Sequence, residues 1–255
     1  MIQASESCLV LFKQLVVAAR DGDLQTVRAL LAKRVNVNEP SRDGSTALLW
    51  AAYHSDVEMA KTLLAAGAVV DAENRYGVTP LLQASRTADL PMMRVLLDAG
   101  AQASKWHAEG ETPLMAAART GNVEAIQLLL SKGALINAVD PFQEESPLMW
   151  ASAEGHVAAV KALLAAGADP NLKGHVSLLT DRKNADHPSG GFTALMFAAR
   201  NGQRDVVKAL MEGKADPKLT NADGLTATMI AIVNDRFDLA KEMLDWGADP
   251  NDGSL

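Results

Sequence analysis

The sequence of 255 residues predicts an all-α protein, a solenoid of stacked helix-turn-helix units. Two motifs recur along it in fixed register: Thr-x-Leu, and further on Leu-Leu-x-x-Gly-Ala. A fixed period of about 20 to 50 residues is typical of solenoids, in which each unit buries its apolar side only against its neighbours. Aromatic residues make up only 4% of the chain, which fits thin Ala and Leu interfaces in place of one central core.

The positions of the first motif set the period. Thr79 follows Thr46 by 33 residues and Thr112 follows Thr79 by 33, with one extra residue before Ser146 and fourteen extra before Thr193. Thr226 comes 33 residues later, and the same frame projected backwards from Thr46 places a degenerate first repeat near residue 13. We therefore expect one domain over residues 13–251, with repeats at about 13–40, 41–73, 74–106, 107–140, 141–173, 188–220 and 221–251. A capping segment at 1–12, an insertion at 174–187 and a tail at 252–255 complete the prediction.

Each predicted element has its own local signals. A glycine two residues before the Thr, as at Gly44 and Gly77, permits a tight turn, and the Thr side chain can cap the helix that follows. Pro80, Pro113 and Pro147 occupy the first helical position, where a missing N–H has no consequence. The first helix is short and rich in small residues, and the glycine after the Leu pair ends the second helix.

The most regular unit reads Thr112-Pro113-Leu114, then Ala116-Ala117-Ala118, and later Leu128-Leu129-Leu130 with Gly133-Ala134. This pattern resembles the ankyrin repeat, and the resemblance extends over residues 13–251. It implies helix-turn-helix units joined by hairpin-like turns, curved so that first helices and turn tips form a concave face. It also implies protein recognition without catalysis.

Several positions depart from the family pattern. The family usually places His after Thr-Pro-Leu, whereas this chain has an apolar residue in each unit, which predicts a row of core side chains. These residues are Leu49, Leu82, Met115, Met149, Met196 and Met229. Lys214 replaces the helix-ending glycine, so we expect an altered turn there, and Glu144 replaces a turn glycine in a turn with one added residue. Glu242 predicts a polar outer face on the last repeat.

Composition excludes several functional classes. The single cysteine, Cys8, excludes an intramolecular disulfide framework and a multi-cysteine metal site. The formal net charge of −7 argues against duplex DNA or an anionic membrane as the default partner. The sequence has no apolar run of the roughly 18 residues that a membrane helix needs. It contains no phosphate-binding loop, no Gly-x-Ser-x-Gly and no His-Glu-x-x-His.

The insertion holds two histidines and two aspartates as candidate metal ligands, and the capping segment holds the single cysteine. His175, Asp181, Asp186 and His187 could ligate a divalent metal, but their spacing matches no known ligand motif, and solvated loop residues are the alternative. Cys8 as a nucleophile competes with a plain role in the capping segment. The insertion itself is either a partner contact or an inert loop. We predict no catalytic residue, no metal and no cofactor.

Arginine recurs at the end of the first helices. In the ankyrin fold these positions would form one stripe on the concave face, with Tyr53 among Arg20, Arg86, Arg119 and Arg200. Two interpretations remain open: the guanidinium groups recognise carboxylates or phosphates, or each pairs with a neighbouring acid such as Asp21 or Glu154. The turn tips add exposed aromatic and arginine side chains, the residue types that dominate interface energies.

The sequence thus predicts a protein-protein interaction scaffold or adaptor that is not an enzyme. The expected central contact set is Tyr53, Arg75, Tyr76, Arg86, Arg119, Phe142 and Arg200. The partner is expected to be another protein, acidic or phosphorylated, bound by a monomer. The alternatives are nucleic-acid or phospholigand binding along the arginines and, further behind, a metal-dependent hydrolase in the insertion. A cytoplasmic location is expected, with secretion or a periplasmic location as the alternative if a leader has been removed.

Overall fold

The computed structural model describes residues 15–106, 110–177 and 189–253, and over these ranges the regular secondary structure is almost all α-helix, joined by turns and loops. The described residues group into two compact units. Unit 1 contains residues 15–106, 110–113 and 131–134, and unit 2 contains residues 114–130, 135–177 and 189–253.

Unit 1 contains three helix pairs. The first helix, α1, is helical over residues 15–20 of the described range. It is followed by α2 (Leu24–Ala32), α3 (Ala47–Tyr53), α4 (Val57–Ala65), α5 (Pro80–Arg86) and α6 (Leu90–Asp98). Within the unit α3 packs on α5, and α4 packs on both α2 and α6, so equivalent helices stack on one another.

Unit 2 contains four helix pairs and one short ladder. Its helices, which include two terminal residues that fall in unit 1, are α7 (Pro113–Thr120), α8 (Val123–Ser131), α9 (Pro147–Glu154), α10 (Val157–Ala165), α11 (Ala194–Arg200), α12 (Arg204–Glu212), α13 (Ala227–Val233) and α14 (Phe237–Asp245). The strands β1 (Val176–Ser177) and β2 (Ser189–Gly190) pair antiparallel. α11 packs between α9 and α13, and α10 packs on α12.

Side-chain caps start most of the helices. The hydroxyl of Thr46 accepts a hydrogen bond from the Leu49 amide at the start of α3, and the same cap begins α5, α9, α11 and α13. Second helices in unit 1 begin at an aspartate, as where Asp56 accepts from the Met59 amide. Because these side chains satisfy backbone donors that lack an intrahelical partner, they fix where each helix begins. The predicted threonine caps are confirmed at α3, α5, α11 and α13, and Ser146 forms the same cap at α9.

Stacking buries the small and apolar positions of the first helices. Ala51 and Ala52 are buried in α3, as are Ala198 and Ala199 in α11. The apolar row is buried too: Leu49, Leu82, Met115, Met149 and Met196 lie in the core, and Met229 is partly exposed. The prediction that these methionines fill the core is confirmed for Met115, Met149 and Met196.

The turn after α12 is not altered, so that expectation is wrong. Lys214 adopts φ +67, the left-handed conformation that Gly67 adopts after α4 with φ +90. Its amide donates to the Met211 carbonyl and the Ala215 amide donates to Leu210, repeating the bonds that Gly67 and Ala68 make to α4. A lysine can adopt this conformation at a cost of about 1–2 kcal/mol, because its Cβ crowds the carbonyl.

Replacing Lys214 with glycine is therefore expected to raise the free energy of unfolding by about 1 kcal/mol, since it removes this strain. Urea denaturation followed by circular dichroism measures the change. Lys214→Ala is the matched control, because it shortens the side chain and keeps the Cβ. An equal gain in both variants would show that the side chain, and not the backbone conformation, limits stability.

The turn that holds Glu144 is reshaped as predicted. Glu144 is left-handed with φ +53, and the Asp140 amide bonds to the Glu145 carbonyl. The corresponding bond in the second repeat, from Ser41 to Ser45, spans one residue fewer. The His175 amide donates to the Gln143 carbonyl, so this turn also supports the start of the insertion.

The outer face of the last helix pair is more apolar than predicted. Glu242 is paired with Arg204 of α12, while four apolar side chains are exposed. These are Ile232, Val233, Phe237 and Leu244. Ile232 stands at the register position of Ala199, which is buried where α13 packs on α11. The expectation of a polar outer face is therefore wrong for this side of the pair.

Candidate protein-binding surface

Two exposed tyrosines of unit 1 lie at the end of α3 and at the following turn tip. Tyr53 is 59% exposed and Tyr76 is 66% exposed, and Arg75 beside Tyr76 is exposed as well. Large aromatic side chains in a stable fold are normally covered, so two exposed tyrosines on one unit indicate a contact surface.

Neighbouring rings fix the position of Tyr53. Its ring meets Trp50 edge-on with centroids 5.6 Å apart, and meets His54 edge-on at 5.3 Å. The Nε2 atom of His54 lies 2.7 Å from the Arg20 carbonyl oxygen, which ties this cluster to α1. Tyr53 is thus held in place while most of its surface stays open to a partner.

Two arginines of unit 1 are engaged within the protein. The Nε atom of Arg86 donates to Glu111 Oε2 at 2.8 Å, and Glu111 is only 8% exposed. Arg20 pairs with Asp21 at 3.1 Å, where both side chains are more than half exposed. The pairing interpretation of the arginine stripe therefore holds at these two positions. Arg86 anchors the turn that precedes α7, and part of it remains accessible.

In unit 2 the arginines lie on aromatic rings. The guanidinium carbon of Arg119 lies 5.6 Å from the Trp150 ring centroid. That of Arg200 lies 5.3 Å from Phe192 and 5.1 Å from Phe197. Such stacking orients the cation and leaves its edge able to donate hydrogen bonds.

A further aromatic residue marks the turn tip of unit 2. Phe142 is 58% exposed at the reshaped turn that precedes α9. Its amide donates to Asp140 Oδ1 at 2.9 Å, which holds the backbone of this tip. Phe142 therefore presents an ordered apolar side chain, as Tyr76 does in unit 1.

Glu145 is a half-buried carboxylate in the same turn. Burial raises the pKa of its side chain above the ordinary value, the negative charge of Asp140 raises it further, and Arg200 opposes both. Because the folded pKa exceeds the unfolded one, the stability that this group contributes is full below the unfolded pKa of about 4.5 and is lost as pH rises through the folded pKa.

Arg200→Ala is expected to raise the pKa of Glu145 further, because it removes the favourable charge of Arg200 on that carboxylate. A titration of the Glu145 side-chain carbonyl by NMR measures the shift. Arg200→Lys, which keeps the charge, should leave the pKa nearer to its wild-type value. A pKa of Glu145 that fell, or did not move, in Arg200→Ala would contradict the electrostatic account.

Sequence reasoning named the exposed residues in each unit and missed the groups that orient them. Glu111 and Phe197 had no signal of their own, because each lies within the repeat motif beside many similar residues. The insertion residues Asp181, Asp186 and His187, and also Cys8, lie outside the described residues. His175 is described, with Nδ1 3.7 Å from Glu144 Oε1, and no cluster that could hold a metal occurs within the described ranges.

The fold and these exposed side chains define a helical repeat protein of the kind that binds other proteins. The chain belongs to the ankyrin-repeat family, whose model matches residues 15–106, 102–174 and 175–254. Ankyrin repeats are generally protein-protein interaction modules and are typically not catalytic.

The comparison with solved structures agrees with this family. The chain is similar to the crystal structure of the human ASB11 ankyrin repeat domain, with a TM-score of 0.76 and 29% identity. The match covers 92% of this chain and 98% of that one. A comparison with curated proteins gave no match. Among the described residues, no helix has both the length and the apolar character needed to cross a membrane.

Proposed function

We propose that this chain is a non-catalytic scaffold that binds a partner protein through the ends of its first helices and its turn tips. The contact set consists of aromatic and arginine side chains from both units. Its members are Tyr53, Arg75, Tyr76, Arg86, Arg119, Phe142 and Arg200.

The observation that carries the proposal is the exposure of three aromatic side chains at these positions. Tyr53, Tyr76 and Phe142 each leave more than half of their surface open, although their backbones are held by hydrogen bonds. Rigid aromatic side chains contribute large contact areas and lose little conformational entropy on binding, which is why they dominate interface energies.

The arginines among these aromatics support an acidic partner, and we propose that the monomer binds it. Arg75 is exposed at the tip beside Tyr76, and the guanidinium of Arg200 is held on two rings. Carboxylates suit such guanidinium groups because two N–H donors can meet two oxygen acceptors. Binding of nucleic acid along the whole arginine row is less favoured, because Arg20 and Arg86 already pair with carboxylates.

Affinity capture from a cell extract with the full chain tests the proposal. The triple variant Tyr53→Ala, Tyr76→Ala, Phe142→Ala should lose the proteins that the wild type retains, because it truncates the three aromatic contact residues. The matched control truncates exposed residues of second helices: Lys61→Ala, Gln127→Ala, Lys208→Ala. Equal capture by the wild type and the aromatic variant, with loss in the control, would place the interface on the second helices.

A further inference from the structure

Two neighbouring cavities in unit 1 share Trp50 and Asp43 as walls. The larger, of about 620 Å³, lies between α1 and the turn that contains Pro40 and Asp43. The smaller, of about 250 Å³, is bounded by α3 and the next turn, and is also lined by Tyr53 and Val78. The larger one is within the size range of sites that take organic ligands or peptide side chains.

The walls of the larger cavity are mainly apolar, and those of the smaller one combine apolar and polar side chains. Val17, 41% exposed on α1, and Pro40 face the larger cavity together with the Trp50 ring, and Leu49 and Val78 line the smaller one. The exposed Tyr53 extends this surface. An aliphatic or aromatic side chain would remove apolar area from water on several sides here.

Trp50 carries a polar group without a partner. Its indole Nε1 is shielded from solvent and has no hydrogen-bond acceptor among the described residues. Because this donor is closed to solvent, Trp50 contributes to the cavity walls through its ring and not through its N–H.

Two arginines beside the cavities form no ion pair within the described part of the chain. Arg42 lines the larger cavity and Arg75 lies at the next turn tip, and both are exposed. The carboxylate of Asp43 accepts hydrogen bonds from the hydroxyls of Ser41 and Ser45, which hold the pKa of Asp43 below its ordinary value. Asp43 therefore stays ionised in the wall of both cavities, and its single negative charge is outnumbered by the charges of Arg42 and Arg75.

We propose that the two cavities around Trp50 bind an extended acidic peptide segment of the partner protein. One apolar side chain occupies the larger cavity, and carboxylates on either side of it meet Arg42 and Arg75. The inference rests on the proposed function and goes further, since it assigns the recognition of the partner to unit 1 and states the chemistry of the segment.

Fluorescence anisotropy with labelled synthetic peptides tests this. The probe is a pool of twelve-residue peptides with one central Leu or Phe between Asp and Glu residues. Two further probes are a pool with Ser at the central position and a single-stranded oligonucleotide of twelve bases. The full chain should bind the acidic-apolar pool at least about tenfold more tightly than the serine pool or the oligonucleotide. Burial of the apolar side chain and attraction between opposite charges both stabilise that complex.

Variants of the full chain locate the binding. Arg42→Glu with Arg75→Glu should weaken binding of the acidic-apolar pool about tenfold or more, and Trp50→Phe by about fivefold, because the smaller ring removes part of the apolar wall. Trp150→Phe is the matched control, since Trp150 stands at the same register in unit 2 and its indole Nε1 is also shielded without an acceptor. Equal binding of the serine pool or the oligonucleotide would overturn the proposal, as would insensitivity to the unit 1 variants.

Capture from the extract separates failure of this inference from failure of the proposed function. If captured proteins are retained by the unit 1 variants and lost by Phe142→Ala with Arg200→Glu, the scaffold function stands and the assignment to unit 1 fails. If neither set of variants affects capture, both fail. Loss of capture in the unit 1 variants, together with binding of the acidic-apolar pool, supports both.

Discussion

Replacing Arg86 with alanine is expected to lower the free energy of unfolding by about 2–3 kcal/mol, because it leaves the buried Glu111 carboxylate without its guanidinium partner. Arg86 is itself partly exposed, with 29% of its side chain accessible. The fall in the free energy of unfolding should therefore lie at or below the low end of the range for breaking a buried ion pair. Urea denaturation of the full chain measures it, and hydrogen exchange should locate the loss in unit 1.

Two control variants separate the ion pair from the loss of a large side chain. Arg75→Ala removes an exposed arginine and should change stability by no more than about 0.5 kcal/mol. Arg86→Ala combined with Glu111→Gln should recover part of the loss, since the buried charge is then gone. A double variant less stable than Arg86→Ala would show that the carboxylate is stabilised by other groups.

Replacing Gly121 with alanine should destabilise unit 2 by about 3 kcal/mol. The residue adopts φ +73, and a Cβ there would lie 2.5 Å from Cγ of His156. Backbone strain contributes about 1–2 kcal/mol, and displacement of the imidazole adds the loss of its bond to the Arg119 carbonyl, 2.9 Å away. Thermal and urea denaturation of the variant measure the sum.

The equivalent turn in unit 1 provides the control. Gly22 adopts φ +75, and a Cβ there would meet no atom within 4 Å, so Gly22→Ala should cost only the strain, about 1 kcal/mol. Adding His156→Ala to Gly121→Ala removes the clash and should give a favourable coupling energy between the two sites. Equal effects of Gly22→Ala and Gly121→Ala would show that the imidazole moves aside freely.

Much of the fold could be predicted because its local signals repeat. The capping hydroxyl of Thr46 and the left-handed glycine at Gly67 act through their own backbone, so one repeat indicates what the next will do. The expectation of an altered turn at Lys214 was wrong because it rested on residue type alone. The sequence shows which residue replaces a glycine, but bonds such as that from Ala215 to Leu210 decide whether the turn persists.

The sequence predicted which aromatic residues are exposed, but it did not predict the contacts that hold the neighbouring arginines. Repeat register identified Tyr53, Tyr76 and Phe142 as outward-facing, and all three are exposed. The partner of Arg86 lies 25 residues away at Glu111, and the sequence offers several acids at comparable spacing. Cavities such as those around Trp50 depend on how far neighbouring turns stand from the helices, which no residue pattern determines.

Site-specific photo-crosslinking tests the central claim, that a partner binds at first-helix ends and turn tips. A benzophenone amino acid is placed singly at positions 53, 76 and 142, and at positions 61, 127 and 208 on the exposed sides of α4, α8 and α12. After irradiation in cell extract, one partner protein should be joined to the chain from the first three positions and from none of the last three. Crosslinks to that partner only from positions 61, 127 and 208 would contradict the account.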